Sequence, residues 1–179
     1  MQHPLALFKY CPCCGSSEFV VHDNRSKRCG KCGFTYYHNA SAATVAVILN
    51  DKDELLVARR AFEPAKGTLD LPGGFVDPGE PIEAGCLREI LEETGAKAQI
   101  VRYLFSLPNT YCFSGFDVHT ADSFFLCELL ENQEIAPQDD AADLMWMPLE
   151  KVRPEHFGLV SVRQGIERLL PLLKKKNTI

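Results

Sequence analysis

The stretch Gly74–Ala96, GFVDPGEPIEAGCLREILEETGA, decides the fold of this chain. It begins as a turn, because Pro78 and Gly79 do not suit the interior of a helix. A helix is predicted to start at Glu80-Pro81, since proline is favoured in the first helical turn and an acid suits the positive end of the helix dipole. The helix is predicted to end at Gly95, because glycine readily adopts the left-handed conformation found at helix C-termini.

The predicted helix carries two different faces. Apolar side chains recur at helical spacing and predict a buried stripe made by Ile82, Cys86, Leu87, Ile90 and Leu91. Glu89, Glu92 and Glu93 share another face, where three carboxylates repel one another. Crowded carboxylates are typical of Mg²⁺ or Mn²⁺ sites, because hard cations need several oxygen ligands. The alternative is a solvated acidic face paired with Arg88, which would be favoured for an arbitrary helix.

The spacing of the whole stretch decides between these two interpretations. It resembles the Nudix box, Gly-x5-Glu-x7-Arg-Glu-U-x-Glu-Glu-x-Gly-U, in which U is a bulky or aliphatic residue. The matching positions are Gly74, Glu80, Arg88, Glu89, Ile90, Glu92, Glu93 and Gly95, and Ala96 is a small occupant of the last position. At ordinary residue frequencies such agreement arises by chance on the order of once in 10⁸ starting points. The resemblance implies an α/β (α+β) fold of the Nudix type, an α/β/α sandwich.

The same resemblance implies a hydrolase that cleaves a diphosphate linked to a nucleoside and depends on a divalent cation. By the family pattern, Arg88, Glu89 and Glu93 are the catalytic residues, and Arg88 orients Glu89 by an ion pair. The pattern also implies a Mg²⁺ or Mn²⁺ site made by the carbonyl of Gly73 and the carboxylates of Glu89, Glu92, Glu93 and Glu128. An exposed strand glutamate is the alternative interpretation of Glu128.

A second metal site is predicted from cysteine spacing. Cys11-x2-Cys14 and Cys29-x2-Cys32 form two paired knuckles, each followed by a glycine. Eight cysteines without a secretion signal favour metal over disulfides, and four thiolates complete a tetrahedral Zn²⁺ shell. We predict a structural zinc ribbon over residues 1–38 and a Nudix domain over residues 39–179. The remaining cysteines in apolar surroundings, Cys86, Cys112 and Cys127, are predicted to be buried thiols.

A zinc ribbon ahead of a Nudix domain, with Tyr36-Tyr37 soon after the last cysteine, resembles the NADH pyrophosphatase branch of the family. Those enzymes carry Ser-Gln-Pro-Trp-Pro-Phe-Pro-x-Ser after the box, where this chain has SLPNTYCFS at residues 106–114. Both serines, the first proline and the central aromatic position match, whereas the glutamine, the tryptophan and two prolines are replaced. The resemblance implies a substrate of the NADH or ADP-ribose type, cleaved to AMP and a second monophosphate.

Four residues are predicted to bind this substrate. Tyr37 is expected to stack on a base, and Tyr111, Phe113 and Ser114 are expected to contact the other half of the molecule. Packing of the ribbon onto the next domain is the alternative role for the aromatic side chains near Tyr37. Two other functions stay open, namely a nucleoside triphosphate pyrophosphatase and a non-catalytic nucleotide-binding module whose ribbon recruits a partner.

Hydrophobic periodicity outlines the rest of the chain. It predicts strands at 43–49, 54–60, 97–107, 123–130 and 144–147, with the first two paired as a hairpin, and a helix at 160–173. Residues 108–122 are predicted to be a polar and aromatic loop, long enough to indicate function. Residues 131–143 are predicted to be an acidic connection.

Composition limits the possible partners. The chain has 179 residues and a net charge of −5, which makes nucleic acid an unlikely general partner. The sequence lacks an apolar run of membrane-spanning length, and its first residues lack the pattern of a signal peptide. We therefore predict a cytoplasmic protein whose partner is a small nucleotide diphosphate derivative, and a homodimer is left open.

Overall fold

The computed structural model describes residues 3–130, 135 and 141–176. In these residues the chain forms nine strands and two α-helices. The strands are β1 (Phe19–Asp23), β2 (Ser26–Cys29), β3 (Thr35–Tyr37), β4 (Ser41–Ile48), β5 (Glu54–Arg60), β6 (Leu69–Asp70), β7 (Ala98–Phe113), β8 (Phe116–Leu129) and β9 (Ala141–Pro148). The helices are α1 (Ile82–Thr94) and α2 (Val160–Lys176), and a 3-10 turn covers Pro154–His156. The predicted acidic connection falls mostly outside the described residues.

Strands β1, β2 and β3 form a small antiparallel sheet that carries the cysteine knuckles. The Phe8 ring, from the segment before the first knuckle, lies 5.5 Å from the ring of Phe116 at the start of β8. His38 follows β3 and lies 5.5 Å from the same ring. The ribbon is therefore packed against one end of the long β7–β8 hairpin. The predicted division at residues 38 and 39 stays a prediction.

Two further sheets build the larger part of the fold, in the orders β4-β8-β7 and β6-β5-β9. Alternate side chains of β4 point to opposite faces, as the pleat of a strand requires. Val45 and Val47 belong to the core shared with α2, whereas Ala46 and Ile48 belong to the core shared with α1. Helices thus cover both faces of the sheet layer, and the prediction of a Nudix-type α/β/α sandwich is confirmed.

The predicted hairpin between residues 43–49 and 54–60 is wrong. Strand β4 instead pairs in parallel with β8, and β5 pairs with β6 and β9 in the other sheet. A single bridge between Leu49 and Leu55 joins the two segments near the turn. Apolar strands that are close in sequence look like hairpin partners, but here each is buried on both faces and is recruited by a distant strand.

The predicted loop at residues 108–122 is also wrong. These residues form the outer half of the β7–β8 hairpin. Pairing along the whole hairpin begins at Ala98 with Leu129 and ends at Phe113 with Phe116. The hairpin turns at Ser114 and Gly115, whose φ angles of 51° and 74° are both positive, as a two-residue type I′ turn requires. Polar residues and Pro108 hid the strand pattern. The Ser-Gly dipeptide was the available signal for the turn.

Three smaller expectations also need correction. Helix α1 begins at Ile82, and Pro81 is its extended N-cap residue, so Glu80 lies outside the helix. Leu91 is 42% exposed and does not belong to the buried stripe. Cys112 is exposed because it faces solvent on the outer part of β7. The other two thiols, Cys86 and Cys127, are buried 3.9 Å apart, as predicted.

Candidate active site and metal centre

The glycine turn before α1 is held against strand β4. The Thr44 N–H donates to the Gly74 carbonyl at 2.8 Å, and the Ala46 N–H donates to the Pro72 carbonyl at 2.7 Å. Gly73 has a φ of 148°, and a Cβ there would lie 2.1 Å from the Thr44 oxygen. Only glycine fits so close to a neighbouring backbone. The sandwich core therefore fixes the position of this turn.

Helix α1 places two carboxylates on the glycine turn. A Cβ on Gly74 would lie 2.5 Å from a carboxylate oxygen of Glu89, so the missing side chain makes room for that group. The Gly73 N–H donates to Oε2 of Glu93 at 3.2 Å. Glu89 and Glu93 are partly buried, whereas Glu92 is exposed. The structure brings together the predicted site residues Gly73, Glu89 and Glu93.

Arg88 links the acidic residues of the box. Its guanidinium donates to Glu80 through Nε and Nη2, to Glu89 at 2.8 Å and to Glu92 at 2.9 Å through Nη1. It also donates to the carbonyl of Phe75 at 2.9 Å. Nearby carboxylates raise the pKa of Arg88, and the hydrogen bonds that Arg88 donates to Glu80 contribute most. Arg88 therefore ties α1 to the turn and fixes the side chain of Glu89.

The electrostatics of this cluster fit a bound cation. Burial raises the pKa of the Glu89 carboxyl, Arg88 opposes the rise, and the charges of Glu92 and Glu80 add to it. The groups crowded here are oxygen donors, the type that Mg²⁺ and Mn²⁺ prefer. The donor set of the described residues therefore fits a hard divalent cation.

Two adjoining cavities open beside the glycine turn. The larger one measures about 470 Å³, and its walls include Gly73, Glu93, Arg59 and Phe113. The smaller one measures about 90 Å³, and its walls include Gly73, Gly74, Phe75 and Tyr111. Asp70 and Leu71 line both cavities. The predicted substrate residues Tyr111 and Phe113 therefore lie on the walls of cavities that meet at the box.

Three predicted site residues lie elsewhere. Glu128 is five residues beyond Ser123, the partner of Thr44, which is roughly 16 Å along β8 at about 3.3 Å per residue. Ser114 sits in the exposed hairpin turn. Tyr37 lies under the guanidinium of Arg25 at 5.7 Å and lines neither cavity. The structure does not bring these three residues to the glycine turn.

A partly buried ion pair joins Arg60, which lines the larger cavity, to Asp70, which lines both cavities, and sequence patterns did not reveal it. The Arg60 Nη1 group is 2.5 Å from Oδ2 of Asp70, and the Leu71 N–H donates to Oδ1 at 2.9 Å. Burial raises the pKa of Asp70, and the charge of Arg60 opposes that rise. The available signal was Arg60 at the end of a predicted strand, ten residues before Asp70.

The four predicted zinc ligands meet in the ribbon. The Sγ atoms of Cys11, Cys14, Cys29 and Cys32 all lie within 4.8 Å of one another. Cys11 and Cys32 are 3.7 Å apart, and so are Cys14 and Cys29. Four sulfurs bound to one zinc at about 2.3 Å would be separated by roughly 3.8 Å in a tetrahedron. The cluster therefore has the dimensions of a tetrahedral thiolate site.

Both cysteine knuckles have the same backbone geometry. Gly15 and Gly33 have φ angles of 71° and 77°, and each donates its N–H to the carbonyl of the first cysteine in its knuckle. The N–H groups of Cys32 and Lys31 lower the pKa of the Cys29 thiol, to about 6. Cys13 is exposed and is not part of the cluster. Such turns present backbone donors to thiolates, the form that binds metal.

Comparison with known proteins gives the family. The NUDIX domain model matches residues 39–169, so the chain belongs to the Nudix family. The predicted resemblance to the Nudix family is therefore confirmed.

Curated relatives carry a more specific name. The NAD-capped RNA hydrolase NudC of Chromobacterium violaceum is 29% identical over 143 residues, which cover 79% of this chain and 51% of that protein. The protein of the same name from Haemophilus influenzae is 28% identical over 158 residues, 87% of this chain and 57% of that protein. This chain thus spans about half the length of the curated relatives it matches. Their name conflicts in part with the expectation that nucleic acid is an unlikely partner.

Solved structures support the fold. A Nudix hydrolase from Nitrosomonas europaea matches with a TM-score of 0.73 and 20% identity, over 91% of this chain and 90% of that chain. An ADP-ribose pyrophosphatase from Streptococcus suis matches with a TM-score of 0.57 and 21% identity, over 77% and 92%. Among the described residues, no helix is long and apolar enough to cross a membrane.

Proposed function

We propose that the protein hydrolyses nucleoside diphosphates linked to a second group, with NADH or ADP-ribose as the substrate type and AMP plus a second monophosphate as products. The observation that supports this most directly is the position of Glu89 and Glu93. Both carboxylates lie on the Gly73–Gly74 turn, and Gly73 and Glu93 line a cavity of about 470 Å³. A diphosphate group placed there reaches the carboxylates while its two ends extend along the cavity walls.

The cation ligands in this proposal are the carboxylates of Glu89, Glu92 and Glu93 and the carbonyl of Gly73. A bound Mg²⁺ or Mn²⁺ supplies charge neutralisation of the diphosphate and lowers the pKa of the attacking water. Arg88 keeps Glu89 in place through their 2.8 Å ion pair. We leave Glu128 out of the proposed cation site, because its register position on β8 is far from the turn.

The cavity walls support a substrate with two aromatic ends. Phe113 lines the larger cavity and Tyr111 the smaller one, so two aromatic side chains on the same face of β7 flank the turn. Exposed Arg59 brings a positive charge to the larger cavity. The names of the NudC and ADP-ribose pyrophosphatase matches agree with a substrate that contains AMP.

The cysteine cluster is proposed to bind one structural Zn²⁺. All four ligand positions are occupied by thiols, so such a site has no open position for a substrate. The described part of the ribbon buries only four apolar side chains, namely Leu5, Cys11, Phe19 and Cys29. Metal binding therefore contributes to folding of the ribbon.

NAD-capped RNA is a second candidate substrate, because the curated relatives are named for it. The exposed basic side chains of Arg25, Arg28 and Lys31 on the ribbon favour contact with an RNA backbone. Cleavage of a capped oligonucleotide is compared with binding of an uncapped one, which separates this activity from general RNA binding.

The cytoplasmic location stays a prediction. Whether the protein forms a homodimer stays open, and light scattering tests it.

Metal removal and readdition test the proposed function. Dialysis against a chelator weak enough to leave the cysteine site loaded, followed by addition of Mg²⁺ or Mn²⁺, should restore cleavage of NADH and ADP-ribose. Zinc content is measured in the same samples. Cleavage of either compound at an unchanged rate after the added cation is removed would contradict the proposed site.

A further inference from the structure

The smaller cavity beside the box contains a cluster of buried polar atoms without hydrogen-bond partners. Among the described residues, six buried side-chain nitrogen or oxygen atoms have no partner in the structure. Four of these six atoms belong to residues that line the smaller cavity: Thr44 Oγ1, Asn109 Oδ1, Thr120 Oγ1 and Asp122 Oδ1. All four residues are at most 5% exposed. Buried polar groups are nearly always paired in folded proteins, so four of them facing one cavity indicate a missing partner.

The fold places these residues with precision. Asn109 and Thr120 face each other across the β7–β8 pair, and Thr44 lies on β4, which pairs with β8 on its other side. Asp122 follows Thr120 on the same face of β8. The Ser161 hydroxyl at the start of α2 donates to Oδ2 of Asp122, which leaves Oδ1 of this cavity-lining residue without a partner. Three strands and one helix therefore converge on a preformed polar pocket.

The pocket mainly accepts hydrogen bonds. Asp122 Oδ1 and Asn109 Oδ1 are acceptors, and the two threonine hydroxyls accept or donate. Asp70 on the same wall is already paired with Arg60 and with the Leu71 N–H, so it does not fill this need. A matching ligand group must bring N–H donors into a cavity of about 90 Å³. That volume exceeds the roughly 10–15 Å³ required by one water molecule.

We propose that this pocket recognises an NH₂ donor carried by an aromatic ring of the substrate, either directly or through a carboxamide, with Asp122 and Asn109 as the accepting residues. The inference rests on the proposed function, because it concerns the substrate of that site. Two sources share this chemistry, the amino group of adenine and the carboxamide of nicotinamide. Asn109 stands where the related motif has tryptophan, so the pocket belongs to this chain's own version of the segment.

The position of the pocket supports a role in specificity. The Gly73–Gly74 turn, Phe75 and Tyr111 are also on its walls, so a ring held there lies next to the carboxylates of the box. Phe75 is 46% exposed, and Tyr111 is partly buried. These two rings offer apolar surface to a bound ring while the polar atoms bind its amino group.

Paired substrates test the proposal. NAD⁺ is compared with nicotinamide hypoxanthine dinucleotide, which replaces the adenine amino group by an oxo group, and with nicotinic acid adenine dinucleotide, which replaces the carboxamide by a carboxylate. We expect kcat/KM to fall at least about tenfold for one of the two analogues, because a buried acceptor then loses its donor. The analogue that is rejected identifies the source of the amino group.

Matched variants assign the effect to the pocket. Asp122→Asn should reduce the discrimination to within about threefold, since the new amide donates where the carboxylate accepted. Thr120→Val keeps the side-chain shape and should reduce the discrimination partially, even if Asp122→Asn fails to fold. The controls are Asp117→Asn and Thr110→Val, which change exposed residues of the same hairpin outside this cavity and should leave discrimination intact.

Binding without turnover separates this inference from the proposed function. Calorimetry with AMP and IMP, and with nicotinamide mononucleotide and nicotinic acid mononucleotide, measures the amino-group preference even if no dinucleotide is cleaved. Equal affinity within both pairs, or discrimination unchanged in Asp122→Asn and Thr120→Val, would overturn the proposal. The four polar atoms would then belong to a site for buried water only.

Discussion

Single residues of the box have separate physical tasks. Gly73 allows the turn to touch β4, and Gly74 leaves room for the Glu89 carboxylate, so both glycines are required by close contacts. Arg88 holds Glu80, Glu89 and Glu92 together through its guanidinium. The box is therefore a packed unit in which the positions of the carboxylates depend on backbone geometry.

Glu93→Gln should reduce turnover about a thousandfold at saturating Mg²⁺. The substitution keeps the shape of a side chain that meets the Gly73 N–H and removes one charge from the proposed cation site. Glu83→Gln is the control, because Glu83 is exposed in the first turn of the same helix. Steady-state kinetics and thermal unfolding are measured for both. Unchanged kcat in Glu93→Gln would rule out the proposed site.

The sequence predicted the candidate site residues of local motifs better than it predicted contacts between residues that are far apart in the chain. Spacing alone located Glu89, Glu93 and the four cysteines, because both motifs depend on local backbone geometry. It did not bring Asn109, Thr120 and Asp122 into one pocket, since that contact needs the register of β7, β8 and β4. A segment interpreted as a loop hid the hairpin that carries these residues.

At the scale of elements, strand pairing was the least predictable part of the fold. Helices α1 and α2 follow from periodicity within one segment. The pairing of β4 with β8 joins residues about eighty positions apart, and local pattern carries no information about that choice. The positive φ angles at Ser114 and Gly115 show that the hairpin turn is encoded locally, although its strands are not recognisable by alternation.

Arg60→Met should destabilise the sheet that contains β5 and β6. The change leaves the partly buried Asp70 carboxylate without its cation, at a cost between the about 1 kcal/mol of an exposed pair and the about 3–5 kcal/mol of a fully buried one. Arg59→Met is the control, because the neighbouring Arg59 is exposed. Chemical denaturation gives the free energy of unfolding of both variants. Equal unfolding free energies would show that the ion pair contributes nothing to stability.

Cys29→Ser should lower the zinc content and unfold the ribbon. Cys29 is buried in a cluster whose four sulfurs have the separations of one tetrahedral site. Cys13→Ser is the matched control, since Cys13 is an exposed thiol between two predicted ligands. Elemental analysis measures the zinc content, and amide spectra show whether the ribbon is folded. Full zinc content and a native ribbon in Cys29→Ser would show that the assignment is wrong.

At the scale of the whole molecule, the sandwich positions the chemistry and the hairpin connects its parts. The outer half of the β7–β8 hairpin touches the ribbon through Phe116 and also lines the cavities beside the box. The hydrophobic cores shared with α1 and α2 pack against opposite faces of the sheet that supports the glycine turn. The fold thus places the carboxylates of the box, two aromatic side chains and a polar pocket around one turn.

Product analysis of NADH and ADP-ribose incubated with Mg²⁺ tests the central claim most directly. The account predicts AMP and a second monophosphate from each compound, without free inorganic diphosphate, and loss of both products in Glu93→Gln. ATP and the other nucleoside triphosphates are included as competing substrates. Efficient release of diphosphate from the triphosphates, with no cleavage of NADH or ADP-ribose, would contradict the proposed substrate class.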